Sequence, residues 1–388
     1  MLPNPYTPRS TTADPVGRDR IISKVEQSIT PMLNTRTAAS GGVILYGVRG
    51  IGKTSVLRVV QADAAARYGF VTVWVAAAKR SSVLTELPQI IRQALISADI
   101  LKPHEWSLEK MGIELNIGVV KAKSNIGKTA HQPFTASVSG VEQLLRWAAK
   151  KCAEHGQGNG SGLLLFIDEL HAVKQSELSI LLNVFQNIAD DKLSSPPFMF
   201  LGAGLPAVRG IATMAATFGE RTLFQPVNKL NPADARVALL KPALELGVTI
   251  ADEVLDVLVA AADGYPFFLQ LYGWNLWNEA KPEPGQLITH SSLKAALAET
   301  QENVLELFNS RFDAATKLER EFIIAMAQLG QDEPVKRSDI AAAFGKATDG
   351  ISMVRRSLIA KAIVTEEQQG YLKFTLPGFA HFVLNELS

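Results

Sequence analysis

The stretch Gly47-Val48-Arg49-Gly50-Ile51-Gly52-Lys53-Thr54 constrains this chain more than any other. It follows a short apolar run, Val43-Ile44-Leu45-Tyr46, and leads into a helix-forming segment from Ser55 to Arg67. Strand, glycine-rich loop and helix with the spacing G-x-x-x-x-G-K-[ST] form the Walker A pattern, a loop that cradles phosphate. Glycines let successive backbone N–H groups converge on phosphate oxygens where a side chain would block the approach. The helix N-terminus behind the loop adds unpaired donors and a positive dipole end. The loop from Gly47 to Ser55 is therefore the expected nucleotide cradle. Within it, Lys53 reaches for the β- and γ-phosphates as a catalytic contact, and the Thr54 hydroxyl is expected to ligate Mg²⁺.

The chain carries its own control. Ser124-Asn125-Ile126-Gly127-Lys128-Thr129 also reads G-K-T, but Ala122 stands where the first glycine is needed, and Pro133 follows where a helix would have to run. It reads as a loop.

At 388 residues the chain has room for two or three domains, and a hydrophobic content of 47% with 20% charged residues describes an ordinary globular protein. A formal net charge of +1 gives no global attraction to nucleic acid or membrane, so any such surface must be local. Its single cysteine, Cys152, cannot form an intramolecular disulfide and fits a reducing cytoplasm. The start, Met1 to Pro5, lacks the basic and apolar regions of a signal peptide. The most apolar long stretch, from Phe198 to Phe218, contains Pro206, Arg209 and several glycines, and reads as strand, turn and helix rather than a membrane span.

Ahead of the loop, Asp14-Pro15-Val16-Gly17-Arg18-Asp19 leads into a helix expected from Ile21 to Ile29. Val16, Gly17 and Arg18 are read as one wall of the adenine pocket; the alternative is a simple turn with Asp19 capping the helix. Beyond it, a strand is expected over 70–75 and helices over 83–97, 141–154 and 176–189. Residues 100–140 fit no pattern well, although Ile113 to Val119 alternates like a hairpin strand.

The continuous apolar run Leu163-Leu164-Leu165-Phe166-Ile167 reads as a central parallel strand buried on both faces, and it ends in Asp168-Glu169. This is the Walker B pattern. Asp168 is expected to hold Mg²⁺, commonly through water, and Glu169 to polarise the attacking water. A further buried strand over 198–201 ends in Gly202-Ala203-Gly204, where no polar side chain is available to sense the γ-phosphate. Arg221, ahead of a last core strand, could neutralise γ-phosphate charge in cis or from a neighbouring subunit, or simply pair with a surface acid. Arg209 offers the same choice.

Helices are expected over 231–246, 251–262 and 266–280, the last opened by Gly264-Tyr265-Pro266, with a linker over 281–290 and a bridging helix over 291–312. Then come three helices and a hairpin turning at Glu366 to Gly370, the pattern of a winged helix-turn-helix. Its third helix is expected to expose Ser352, Arg355 and Arg356 and to hide Met353, Leu358 and Ile359. Arg355 and Arg356 are the candidate DNA contacts. Residues 314–388 hold about nine basic and nine acidic side chains, without the basic excess of a strong DNA binder.

With these residues in place, the chain resembles P-loop ATPases of the AAA+/STAND group, close to the archaeal-type and origin-recognition-like ATPases. Asp14 to Arg18 resembles the Val-Gly-Arg box, Gly47 to Thr54 is Walker A, and Leu163 to Glu169 is Walker B. Gly204-Leu205-Pro206 and Gly264-Tyr265-Pro266 resemble elements of the same group. The resemblance implies ATP rather than GTP, and a nucleotide contact by Pro266 from a helical lid. It implies an α/β fold: a P-loop parallel sheet flanked by helices over 1–228, an α-helical lid and bridging helix over 229–312, and a winged helix over 313–388. The lid shows no clear sensor arginine, and with the missing polar sensor this fits a slow switch better than a fast motor.

The leading expectation is an ATP-binding, slowly hydrolysing switch that uses Mg²⁺ and clamps core and lid to control the C-terminal domain. The alternative is a DNA-binding ATPase of replication-initiator or transposition type acting on duplex DNA through the winged helix. A third is a module whose winged helix binds a protein partner. Assembly into a homo-oligomer in the ATP state is open, and no membrane partner is expected.

Overall fold

The computed structural model describes residues 2–8, 10–12, 14–79, 82–105, 137–155, 162–191, 194–208, 210, 221–331 and 333–386. The alternating segment 113–119, the second G-K-T sequence and Arg209 lie outside the described residues.

Five parallel strands carry the site: β1 (Val43–Tyr46), β2 (Val71–Ala76), β3 (Leu163–Asp168), β4 (Phe198–Gly204) and β5 (Leu223–Pro226), in the order β2-β3-β4-β1-β5. The apolar run of β3 follows from its burial on both faces. Leu163, Leu165 and Ile167 pack with α4 (Val83–Ser97), α5 (Val138–His155) and α6 (Gln175–Asp190). Leu164 and Phe166 point the other way, into the cluster built on α1 (Asp19–Ile29), α2 (Pro31–Thr35) and α3 (Lys53–Tyr68). On that face Phe166 stacks against Trp74 of β2, their centroids 5.9 Å apart. Tyr46 pairs with Gly204, and Asp168 with Ala76, so the loop after β1 and the acid ending β3 emerge on one edge of the sheet. That carboxyl edge is where ligands sit in open α/β sheets.

A helical layer follows, with α7 (Pro232–Glu245), α8 (Asp252–Ala262) and α9 (Pro266–Ala280). Asn231 caps α7 by accepting the Asp234 N–H at 2.8 Å, and a proline opens both α7 and α9. The segment expected as a plain linker contains β7 (Leu287–Ile288), which pairs in parallel with β6 (Thr249–Ile250). A strand of two residues carries no readable periodicity, which explains the miss.

The long helix α10 (Leu293–Asp313) leads to α11 (Lys317–Gly330), opened by a capping box between Thr316 and Glu319. Then come β8 (Val335–Lys336), α12 (Arg337–Ala343), α13 (Ser352–Ala360), the hairpin β9 (Val364–Gln368) and β10 (Tyr371–Phe374), and α14 (Phe379–Glu386). The three strands form a sheet in the order β8-β10-β9. Helix α14 was not expected, although Phe379, Ala380, Phe382 and Val383 are buried at helical spacing.

The face of α13 corrects the sequence reading. Met353 is 82% exposed, while Val354 and Leu358 are buried. Arg355 turns inward and pairs with Glu366 of β9 at 2.9 Å, leaving its side chain 16% exposed. Apolar character predicted burial for Met353, but the hairpin supplied an acid that pairs with the arginine two positions later.

One apolar cluster runs from Leu45 and Val56 of the nucleotide core, through Tyr265 and Phe268, to Phe308, Phe379 and Phe382. The C-terminal elements are thus packed into the body that holds the phosphate loop. Among the described residues, no helix is long and apolar enough to cross a membrane.

Candidate active site

The phosphate loop takes the shape its glycines permit. Gly50 and Gly52 have φ of 78° and 95°, the left-handed region, and Gly52 forms the N-cap of α3. A Cβ added to Gly52 would meet nothing within 4 Å, whereas one on Gly50 would come within 3.0 Å of Phe267 Cβ. The loop is open at its second glycine and closed by the lid at the first.

Lys53 turns back over the loop, its ammonium donating to the carbonyl oxygens of Gly47 at 2.9 Å and Val48 at 2.8 Å. Gly47 and Val48 do not line the cavity and act here as acceptors. Burial pulls the Lys53 pKa down to about 8, against the opposing pull of Asp168 and Glu169. The ammonium sits where an anionic ligand would restore its charge.

Across the cavity the Thr54 hydroxyl donates to Asp168 Oδ2 at 2.8 Å, and Asp168 Oδ1 accepts the Glu169 N–H at 2.9 Å. Hydroxyl and carboxylate stand together as hard oxygen donors, the set that suits Mg²⁺. Glu169 has φ 55° and ψ 44°, an uncommon left-handed conformation for a side chain of its size, held by the turn Leu170–Ala172. A Cβ on Gly202, two residues before the end of β4, would come within 2.3 Å of Leu170 Cδ1, so that position stays bare to seat the segment after Glu169.

His171 also lines the cavity, with a buried Nδ1 that has no hydrogen-bond partner among the described residues. Burial first, then the Lys53 and Arg49 charges, push its pKa down to about 4, so the ring is neutral at physiological pH. Its place two residues beyond the Walker B acids was its only sequence signal.

Arg18, 5% exposed, donates to the Ile51 carbonyl at 3.0 Å. It occupies the N-cap position of α1 without a capping bond, and Asp19 falls in the first turn, so the capping alternative does not hold. Val16 and Arg18 line the cavity; Gly17 does not. Instead Gly17, with φ 71°, passes so close to α7 that an added Cβ would lie 2.6 Å from Asp234 Oδ2. The Val16-Gly17-Arg18 segment therefore ties the loop to the lid.

Pro266 and Tyr265 line the opposite wall. The Tyr265 hydroxyl bonds to the Arg49 carbonyl oxygen of the loop and lies 3.3 Å from the carbonyl of Thr375, beyond β10. The N-terminal segment closes a further side, with Pro5, Thr7, Pro8 and Thr12 at the cavity and the Thr12 N–H donating to Ser55 Oγ at 3.2 Å. It is anchored by Tyr6, which is fully buried against Trp277. The cavity, open on one side, has a volume of about 820 Å³, sufficient for a nucleoside triphosphate. Tyr6, Asp234, Tyr265 and His171 were not among the expected site residues.

Arg221 is corrected as a contact in cis. Leu223 pairs with Val43, the first residue of β1, so Arg221 lies at the edge of the sheet opposite the loop. Roughly 13 Å of strand separates them. There it is ion-paired with Asp190, the surface pairing that was the simpler alternative. Arg356, the second candidate for DNA, is exposed on α13.

Sheet order, phosphate loop and Asp168-Glu169 define a P-loop NTPase fold. Residues 14–199 match the AAA ATPase domain family. Residues 305–383 match a second family, described as a domain of unknown function (DUF8462). Among solved structures, the chain is similar to the Walker-type ATPase paby2304 of Pyrococcus abyssi, at 14% identity and TM-score 0.59, covering 97% of this chain and 98% of that one. It is also similar to the ORC2 protein of Aeropyrum pernix, at 16% identity and TM-score 0.57, covering 98% and 96%. In sequence it is 24% identical over 241 residues to the Holliday junction branch migration complex subunit RuvB of Salinispora arenicola (strain CNS-205). That match spans 56% of this chain and 65% of the relative's length.

Proposed function

We propose that the chain is an ATP-hydrolysing switch of the STAND kind, in which nucleotide at the phosphate loop governs how the C-terminal domain is held. The observation that carries this reading is the Tyr265 hydroxyl, which meets the Arg49 carbonyl of the loop on one side and the Thr375 carbonyl on the other. A hydroxyl has one proton to donate and cannot serve both acceptors fully. Movement of the loop around a triphosphate would therefore be felt directly beyond β10.

In this reading the loop N–H groups and Lys53 bind the phosphates, and Lys53 exchanges its carbonyl acceptors for phosphate oxygens. Val16, Arg18 and Pro266 border the rest of the nucleotide. Glu169 takes a proton from the attacking water. Thr54 and Asp168 would hold Mg²⁺, which supplies neutralisation of phosphate charge. The bare tip of β4 removes one γ-phosphate contact and favours slow turnover. We also read the boundaries at 228/229 and 312/313 as domain limits, and the last domain as a winged helix.

The test is equilibrium ATP binding and phosphate release for wild type, Lys53→Ala and Glu169→Gln. Lys53→Ala should lose ATP affinity, and Glu169→Gln should keep affinity while turnover falls by about 10²-fold or more. Unchanged affinity in Lys53→Ala would sink the proposal.

A DNA-directed ATPase is the second reading, favoured by exposed Arg356 and by the relative named for Holliday junction branch migration. The pairing of Arg355 with Glu366 counts against it. Binding of labelled duplex DNA over a salt series, with and without ATP, separates the two.

A further inference from the structure

Arg311 lies in the last turn of α10, outside the lid helices, and lines the same cavity as Lys53, Thr54, Asp168 and Glu169. Its Nη1 donates to the carbonyl oxygen of Lys361, which caps α13, at 3.0 Å. Burial lowers its pKa, and the neighbouring Arg49 guanidinium lowers it further. Among the described residues no carboxylate is ion-paired with Arg311. Arginine does not give up its proton near neutral pH. Arg49 of the phosphate loop and Arg311 thus bring two guanidiniums to the cavity that Lys53 also lines.

An excess of fixed positive charge in a partly buried cavity calls for an anion. The planar fork of a guanidinium matches phosphate oxygens and gives charge-assisted hydrogen bonds. We infer that Arg311 reads the terminal phosphate of bound ATP and, by turning from the Lys361 carbonyl to do so, transmits the nucleotide state to the C-terminal domain. The inference rests on the ATP-switch reading above and supplies its trigger. ADP lacks the third phosphate and leaves Arg311 on Lys361. Loss of that bond frees the end of α13, whose Lys361 also holds Glu319 of α11 at 2.7 Å.

The experiment measures affinity for ADP and for a non-hydrolysable ATP analogue, both with Mg²⁺. The proteins are wild type, Arg311→Gln and Arg311→Lys. Glutamine keeps an N–H donor for Lys361 but removes the charge. Wild type should prefer the ATP analogue by about tenfold or more, the worth of a charge-assisted hydrogen bond. Arg311→Gln should lose that preference while ADP affinity stays within about twofold, which also reports an intact fold. Arg311→Lys should recover part of it. Discrimination unchanged in Arg311→Gln, or equal weakening for both nucleotides, overturns the inference alone. If wild type binds neither nucleotide, both this inference and the ATP-switch reading fall.

Discussion

The Thr54 hydroxyl donates to the Asp168 carboxylate at 2.8 Å, joining the end of the phosphate loop to the tip of a strand 114 positions later. The two groups that would hold a magnesium ion already stand in contact. Asp168→Asn keeps an acceptor for Thr54 but removes the charge. Mg²⁺-dependent turnover should fall by about 10²-fold or more, while ATP affinity without Mg²⁺ changes little. A magnesium titration of phosphate release checks this.

Lys53 gives a pH dependence with a definite sign. Burial sets its pKa at about 8 in the nucleotide-free protein, and an anionic ligand would raise it. Below about pH 8 the ammonium is already charged and binding takes up no proton. Above it, affinity should fall by up to about tenfold per pH unit, with proton uptake on binding. Calorimetry at pH 7 and pH 9 in buffers of different ionisation enthalpy tests both parts. An affinity independent of pH over that range would show that the Lys53 ammonium stays charged throughout, against the lowered pKa.

The N-terminal segment depends on Tyr6. Its ring is fully buried, and a Cβ on Gly273 would lie 2.4 Å from its Cδ1, so α9 keeps a glycine to admit it. Tyr6→Ala should cost roughly 3–5 kcal/mol, the usual loss for a buried aromatic. Tyr6→Phe should cost only about 1 kcal/mol, because it leaves the Leu239 carbonyl without its donor. Denaturant unfolding gives both values, and nucleotide release should quicken in Tyr6→Ala.

Glu319 makes the C-terminal helices acid-sensitive. Burial would raise its pKa, but the Lys361 ammonium, the Ser357 hydroxyl and the Thr316 N–H outweigh that and hold it at about 2. A carboxylate depressed in the folded state adds stability that is present above its unfolded value near 4.5 and lost as pH falls toward 2. Glu319→Gln should destabilise at pH 7 by about 1–3 kcal/mol and flatten the loss between pH 4.5 and 2. Thermal melts across that range would show it.

What the sequence made legible was local. The phosphate loop and the acids ending β3 announce themselves because the chemistry needs fixed spacing within one turn or one strand tip. Helix α4, with its apolar periodicity, and α9, opened by Pro266, appeared with their observed limits. The contacts that join the parts were not legible, since Tyr265 meets Arg49 across 216 positions and Tyr6 meets Leu239 across 233. The face of α13 was misread because the side chain that decides it, Glu366, belongs to another element. Arg221 looked close to the site in sequence order, but a strand entering from the far edge of the sheet put it at the wrong end.

In the proposed switch, nucleotide at the phosphate loop changes the hold on the C-terminal elements through Tyr265. Amide hydrogen exchange of Glu169→Gln with ATP and Mg²⁺, against the same protein with ADP, measures this directly. Faster exchange with ATP is expected around Lys361 and Thr375, with the core strands β1 and β3 unchanged. Identical exchange in both nucleotides at those positions would contradict it.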